Sequence, residues 1–389
     1  MPCRAPHPKT SPAARETGLI KLSVALAVVV IVVLAAWLTL RPARQSRSGD
    51  AGDTTAVATP MIEGQVEHSD PALEARLEAI VRGTPGRCSI AAKNLKSGAI
   101  ARVNADTAIA LLSVVKLPVA IAVLDGVDHA RWTLSTPITL LAHDMHPRGE
   151  LGDRYPRGGG PVRLYRLLDH AITRSDNSAA DVLMRLVGGP PSVTQWLERH
   201  GIRDLRVDRT ERGLGNDGYG LATGADTMGS AEEIRELRAQ VPSAAHDSAA
   251  RAMLIDPRDT GTADACVQLL ERLWRGDLLS AAMTDTLKSV LGRCKTARNR
   301  LPALLPKGTP VARKSGTGGT TAGVTVAIND VGVIRLPNGD DVAIAVLVGE
   351  PHGSVRRAER VIARVARSVF DAWSAGDSMD VATARATAR

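Results

Sequence analysis

Short apolar runs rich in strand-forming residues stand at both ends of this chain, at 87–93 and 100–104 and again at 310–313, 323–328, 331–336 and 342–348, while the apolar spacing between the two groups is helical. Strands must pair their backbone groups, so the pattern implies one sheet assembled from both chain ends around a helical insert. The fold class expected is α+β: an antiparallel five-stranded sheet flanked by helices, with an all-helical subdomain over about residues 113–300. Lys96, Ser97 and Gly98 mark a hairpin between the first two strands, and Pro337, Asn338 and Gly339 mark a later turn. Leu73, Leu77, Ile80 and Val81 follow helical spacing behind Asp70, a residue suited to an N-cap, and residues 358–373 form a closing amphipathic helix.

The domain so defined spans residues 70–373, followed by a tail over 374–389. Ahead of it, residues 22–40 carry no charge and are long enough to cross a bilayer, with Arg4, Lys9, Arg15 and Lys21 before them and Arg41, Arg44 and Arg47 after them. No small-residue cleavage site, lipobox cysteine or twin arginine accompanies the run, so an uncleaved transmembrane anchor is expected, with residues 1–21 before it and a polar linker over 41–69. The net charge of +8 is scattered over single Arg and Lys residues, and five Trp, three Tyr and one Phe offer few stacking platforms, which argues against nucleic acid as a partner. Cys and His show no metal-ligand spacing, and His143 and His146 read as loop-surface residues; no metal or cofactor is expected.

Three short motifs carry chemistry. Ser113 and Lys116 stand three apart at the start of an apolar helical run, which places both on one helix face. A serine becomes a nucleophile only with a base in reach, and a desolvated lysine amine is one such base. Ser175, Asp176 and Asn177 lie between two helical stretches, where an interhelical turn alone would also account for them. Lys314, Ser315 and Gly316 precede Thr317 and two further glycines at the end of a strand, where a backbone can approach a ligand. Lys96, Ser97 and Gly98 repeat the tripeptide, so only order and context single out the later copy.

The ordered set S-x-x-K, S-D-N, K-[ST]-G resembles the signature of class A β-lactamases and penicillin-binding proteins. LSVVKLPVAIAVL from Leu112, ITRSDNSAADVLMRLVGGP from Ile172 and LPKGTPVARKSGTGG from Leu305 are similar to class A enzymes, especially their extended-spectrum subgroup, and the resemblance covers nearly all of residues 70–373. It implies that Ser113 is the acylated nucleophile and Lys116 its neighbouring base, that Ser175 relays a proton to the lactam nitrogen, and that Asn177 positions Lys116 and substrate. Lys314 and Ser315, with Gly316 and Thr317, would bind the substrate carboxylate, and backbone amides of Ser113 and Thr317 would form the oxyanion hole.

LRVDRTERGLGND is similar to the family's R-x-E-x-x-L-N loop and makes Glu211 the carboxylate that activates water, with Arg209 and Leu214 at matching positions. Two departures follow. Gly215 stands where the family has a water-holding Asn, with Asn216 next to it, and an extra segment over about 223–255 separates the loop from Arg258, Asp259 and Thr260, which resemble its closing stretch. The extra segment is expected to be helical at 231–238 and otherwise mobile. Leu112, not Cys, precedes the nucleophile, and Cys88, Cys266 and Cys294 are an odd number in an exported domain. The resemblance implies a monomeric hydrolase of penicillins and cephalosporins, periplasmic and anchored in the inner membrane, or free in the periplasm if the N-terminal run is cleaved. Two alternatives remain: a membrane-anchored penicillin-binding protein or D,D-peptidase that acylates but deacylates poorly, and a sensor module without turnover.

Overall fold

The computed structural model describes residues 66–84, 86–221 and 229–374, so the expected anchor over 22–40 lies outside the described residues. A mixed sheet is built from β1 (His68–Ser69), β2 (Arg87–Asn94), β3 (Ala99–Val103), β4 (Val311–Thr317), β5 (Ala327–Arg335) and β6 (Asp341–Gly349), in the order β1-β3-β2-β6-β5-β4. Strands β2 to β6 are antiparallel throughout and form the expected five-stranded sheet from both chain ends. The sixth strand corrects the expectation: β1 adds parallel to β3, and its two residues fall in the stretch read as linker, too short to show an alternation.

The runs at 323–328 and 331–336 are not two strands of this sheet. β5 passes unbroken through Asn329 and Asp330, which read as a break because they are polar, yet both are fully buried and hydrogen-bonded. Only Val324–Thr325 stands apart, paired with Thr320–Thr321 in a two-residue ladder. β4 likewise continues past residue 313 because Arg313 and Lys314 are buried despite their charge.

The sheet's alternation sorts two cores. Ile90, Ala92, Val342, Ile344 and Val346 face helices α1 (Pro71–Val81) and α9 (Val355–Ser374), whereas Ala91, Val331, Ala343, Ala345 and Leu347 face the helical half. Asp70 does cap α1, accepting from Leu73 N at 2.9 Å, an interaction worth about 1 kcal/mol. Its second carboxylate oxygen accepts from Trp373 Nε1 at 3.0 Å, tying the first helix to the last.

The helical half contains α2 (Lys116–Asp128), α3 (Leu164–Thr173), α4 (Asn177–Leu186), α5 (Glu211–Tyr219), α6 (Ala231–Gln240), α7 (Ser243–Ala252) and α8 (Ala263–Arg275). α2 is buried nearly all round, as an apolar central helix must be. The half is not purely helical: Ile109–Ala110 pairs with Thr260–Gly261, and Pro137–Leu140 pairs with Gly159–Arg163. Those ladders are short and rich in Gly and Pro, so no alternation announced them. In the extra segment α6 stands where expected, and α7 is a second helix where mobile chain was expected; none of its residues is buried, so its sequence carries no apolar stripe.

Candidate active site

Ser113 lies in a 3₁₀ turn, Leu112–Val115, that leads directly into α2. Leu112 has a φ of 52°, a left-handed conformation that costs a non-glycine residue about 1–2 kcal/mol. The turn is held from β5, where Asn329 Nδ2 donates to the carbonyls of Ala110 (2.8 Å) and Leu111 (3.2 Å). Gly316 on β4 completes the close approach, because a Cβ there would stand 2.4 Å from the Leu111 carbonyl oxygen. That requirement explains the glycine of the third motif.

Lys116, 1% exposed, gathers the predicted residues around its ammonium. Its Nζ lies 2.9 Å from Ser113 Oγ, 2.9 Å from the Ser175 carbonyl oxygen, 3.2 Å from Ser175 Oγ, 2.6 Å from Asn177 Oδ1 and 3.2 Å from Glu211 Oε1. An ammonium has three protons and no acceptor, so these oxygens share its donors, and Ser113 Oγ accepts from Nζ. The interhelical-turn reading of the second motif is also correct in part. Asp176 caps α4, accepting from Ala179 N at 3.0 Å, and accepts from Leu151 N at 3.0 Å with its other oxygen, while Ser175 (φ 59°) and Asn177 turn to Lys116.

Lys314 pairs across the sheet with Val331, which places it on the face of the helical half. Its Nζ donates to Ser175 Oγ at 2.9 Å, and burial, with the Lys116 charge, pushes its pKa down to about 7. Its neighbours do not all join it. Ser315 Oγ lies 2.8 Å from Thr296 Oγ1, and the Thr317 hydroxyl accepts from Arg300 at 2.6 Å, although Thr317 still lines the cleft. The earlier Lys96, Ser97 and Gly98 sit in a hairpin turn, with Lys96 74% exposed and paired to Asp340, so that copy of the tripeptide is structural.

Glu211 opens α5, and its placement depends on residues the sequence did not single out. Buried Asp181 on α4 accepts from Glu211 N at 2.7 Å and Arg212 N at 3.0 Å; burial, then the Glu211 charge, raise its pKa well above the usual carboxylate range. The loop is closed at its base by Arg209, whose guanidinium meets Asp259 (2.6 Å), Asp217 (2.9 Å) and Asp256 (2.8 Å). His146 corrects the surface reading: it is 6% exposed and lines the cleft. Burial, with the Arg238 charge, lowers its pKa to about 3, and Nδ1 accepts from Arg148 N at 3.3 Å, so the ring is neutral with its proton on Nε2. Arg209 and Asp259 stand at positions that the family resemblance had indicated, and Asp181 is marked only by its place one turn beyond the second motif. Cys88, Cys266 and Cys294 are free thiols, and burial pushes the first two up to about 11 and about 12.

A serine hydroxyl, a carboxylate and two lysine amines gathered beside one cleft suit acyl transfer to a serine and onward to water. The profile of the β-lactamase enzyme family matches residues 72–373. The chain belongs to that family. It is 27% identical to β-lactamase VEB-1 of Pseudomonas aeruginosa over 77% of this chain and 89% of the relative, and 28% identical to the extended-spectrum β-lactamase PER-1 of the same organism over 77% and 87%. Its fold matches the crystal structure of a β-lactamase from Chitinophaga pinensis with a TM-score of 0.65 at 27% identity, covering 77% of this chain and 99% of the other. An ancestral class A β-lactamase matches with a TM-score of 0.63 at 28% identity, over 77% and 100%.

The Lys314 pKa gives the enzyme a pH signature. Below about 7 the amine is charged and suits a carboxylate; above it the charge is lost. kcat/KM for a monoanionic penicillin, which reports free-enzyme groups, should fall as pH rises through this value, and Lys314→Arg should flatten that limb because a guanidinium keeps its proton. The same alkaline limb in both proteins would exclude Lys314 as its source.

Proposed function

We propose that this β-lactamase opens the lactam amide of penicillins and cephalosporins through an ester on Ser113, which water activated by Glu211 then hydrolyses. The observation that carries the reading is the position of Lys116 Nζ, within 3.2 Å of both Ser113 Oγ and Glu211 Oε1. In the first half, Ser113 Oγ gives its proton to Lys116 as the Lys116 ammonium gives one to the Glu211 carboxylate, and Oγ bonds to the lactam carbonyl carbon. Backbone N–H groups of Ser113 and Thr317 take the negative charge on the carbonyl oxygen. Ser175, between Lys116 and Lys314, passes a proton to the lactam nitrogen as the C–N bond breaks and takes one back from Lys116, which Glu211 reprotonates, so Glu211 is again a carboxylate. Lys314 and the Thr317 hydroxyl hold the carboxylate beside that nitrogen, with Ser315 exchanging Thr296 for it. In the second half Glu211 takes a proton from water, the hydroxide adds to the ester carbon, and Ser113 leaves with a proton returned from Lys116.

Intact-protein mass after a single penicillin addition tests this mechanism. Ser113→Ala should form no adduct, and Glu211→Gln should form it but release it at least about a hundredfold more slowly than the wild type, the usual range for losing a general base. Equal adduct lifetimes in wild type and Glu211→Gln would remove Glu211 from the mechanism.

We further propose that residues 22–40 anchor the enzyme in the inner membrane with its catalytic domain in the periplasm; among the described residues no helix is long and apolar enough to cross a membrane. The apolar run and a substrate found outside the cytoplasm support this. A reporter fused after Trp373 should be active only in the periplasm, and activity confined to the cytoplasm would overturn the assignment.

A further inference from the structure

The extra helices α6 and α7 form one wall of the active-site cleft, a cavity of about 470 Å³, just beyond Glu211. At Gly215 a Cβ would stand 2.6 Å from Arg238 Nη2 and 3.3 Å from His146 Nε2, so these two groups occupy the space a side chain there would take. Arg238 donates through Nε and Nη2 to Asn216 Oδ1 at 3.1 and 2.8 Å, and its guanidinium lies 4.8 Å from the centre of the Tyr219 ring. Arg148 donates to Tyr219 Oη at 3.2 Å, so both guanidiniums are fastened to one aromatic ring. Neither forms an ion pair with a carboxylate among the described residues; the charged neighbours of Arg238 are cations, and burial lowers its pKa to about 10.

The wall therefore brings two guanidiniums and His146 Nε2–H to the cleft, beside the Tyr219 hydroxyl that already accepts from Arg148. That donor set matches an anion, and two cations this close are stabilised by one. The substrate's geometry supplies the anion's place. The carboxylate common to β-lactams lies on the nitrogen side of the scissile bond, toward Ser175 and Lys314. The acylamino substituent lies on the carbonyl side, toward Glu211 and Gly215.

We propose that Arg238, Arg148 and His146 form a second anion subsite, which takes a carboxylate or sulfonate on the acyl side chain, so that the enzyme prefers dianionic β-lactams. This rests on the acyl-enzyme reading above. The test is the second-order rate of Ser113 labelling, followed by intact mass, for α-carboxybenzylpenicillin and benzylpenicillin. The wild type should favour the α-carboxy compound. Arg238→Gln should lower the ratio of the two rates at least about tenfold, the size expected of one hydrogen bond to a charged group, whereas Arg238→Lys, which keeps the charge, should retain most of it. Arg148→Gln, on an exposed side chain, carries the same test should Arg238→Gln fail to fold. Labelling by both penicillins with an unchanged ratio in the Gln variants overturns the subsite alone. No labelling by either overturns the acyl-enzyme reading and the subsite with it.

Discussion

Taking a lysine ammonium out of water costs several kcal/mol unless oxygens replace its hydration shell in good geometry. Lys116 is such an ammonium, 1% exposed at the head of a helix buried nearly all round. Its oxygens come from four places in the chain: the nucleophile turn, the carbonyl and hydroxyl of Ser175, the amide of Asn177 and the carboxylate of Glu211. Each of those elements is thus fixed relative to the others by the need to satisfy one charge. β4 joins the same set, since Lys314 shares Ser175 Oγ with Lys116.

A second layer holds those oxygens in place. Asn329 and Gly316 bring the sheet against the nucleophile turn, Asp181 binds the backbone at Glu211, and the Arg209–Asp259 pair closes the loop behind it. Buried polar groups of this kind rigidify a site when every member is satisfied. The extra helices α6 and α7 enter the same cleft, and Arg238 fills the gap that Gly215 leaves. The absence of a side chain at 215 and the presence of the insertion are therefore two sides of one packing solution.

Much of this arrangement was legible in the residues. The short apolar runs at both chain ends pointed to the sheet, and the three ordered motifs named most of the groups around Lys116. What stayed hidden has a common physical cause. Asn329 and Asp330 lie in a strand yet look like loop residues, because a buried polar side chain is recognisable only once its partner is known. Asp181, His146 and Arg238 act beside residues 211, 215 and 216, far away in sequence, which no local pattern records. The helix over 243–252 was missed for the opposite reason: none of its residues is buried, so it carries no apolar stripe.

The central claim is that one buried ammonium organises the chemistry at Ser113. The rate of Ser113 acylation by a good penicillin in Lys116→Ala, followed by intact mass, tests it most directly. The account predicts a fall of several orders of magnitude, beyond the roughly 10²–10⁴-fold usual for a single proton-transfer group, because positioning is lost along with the proton relay. Acylation at the wild-type rate would contradict it.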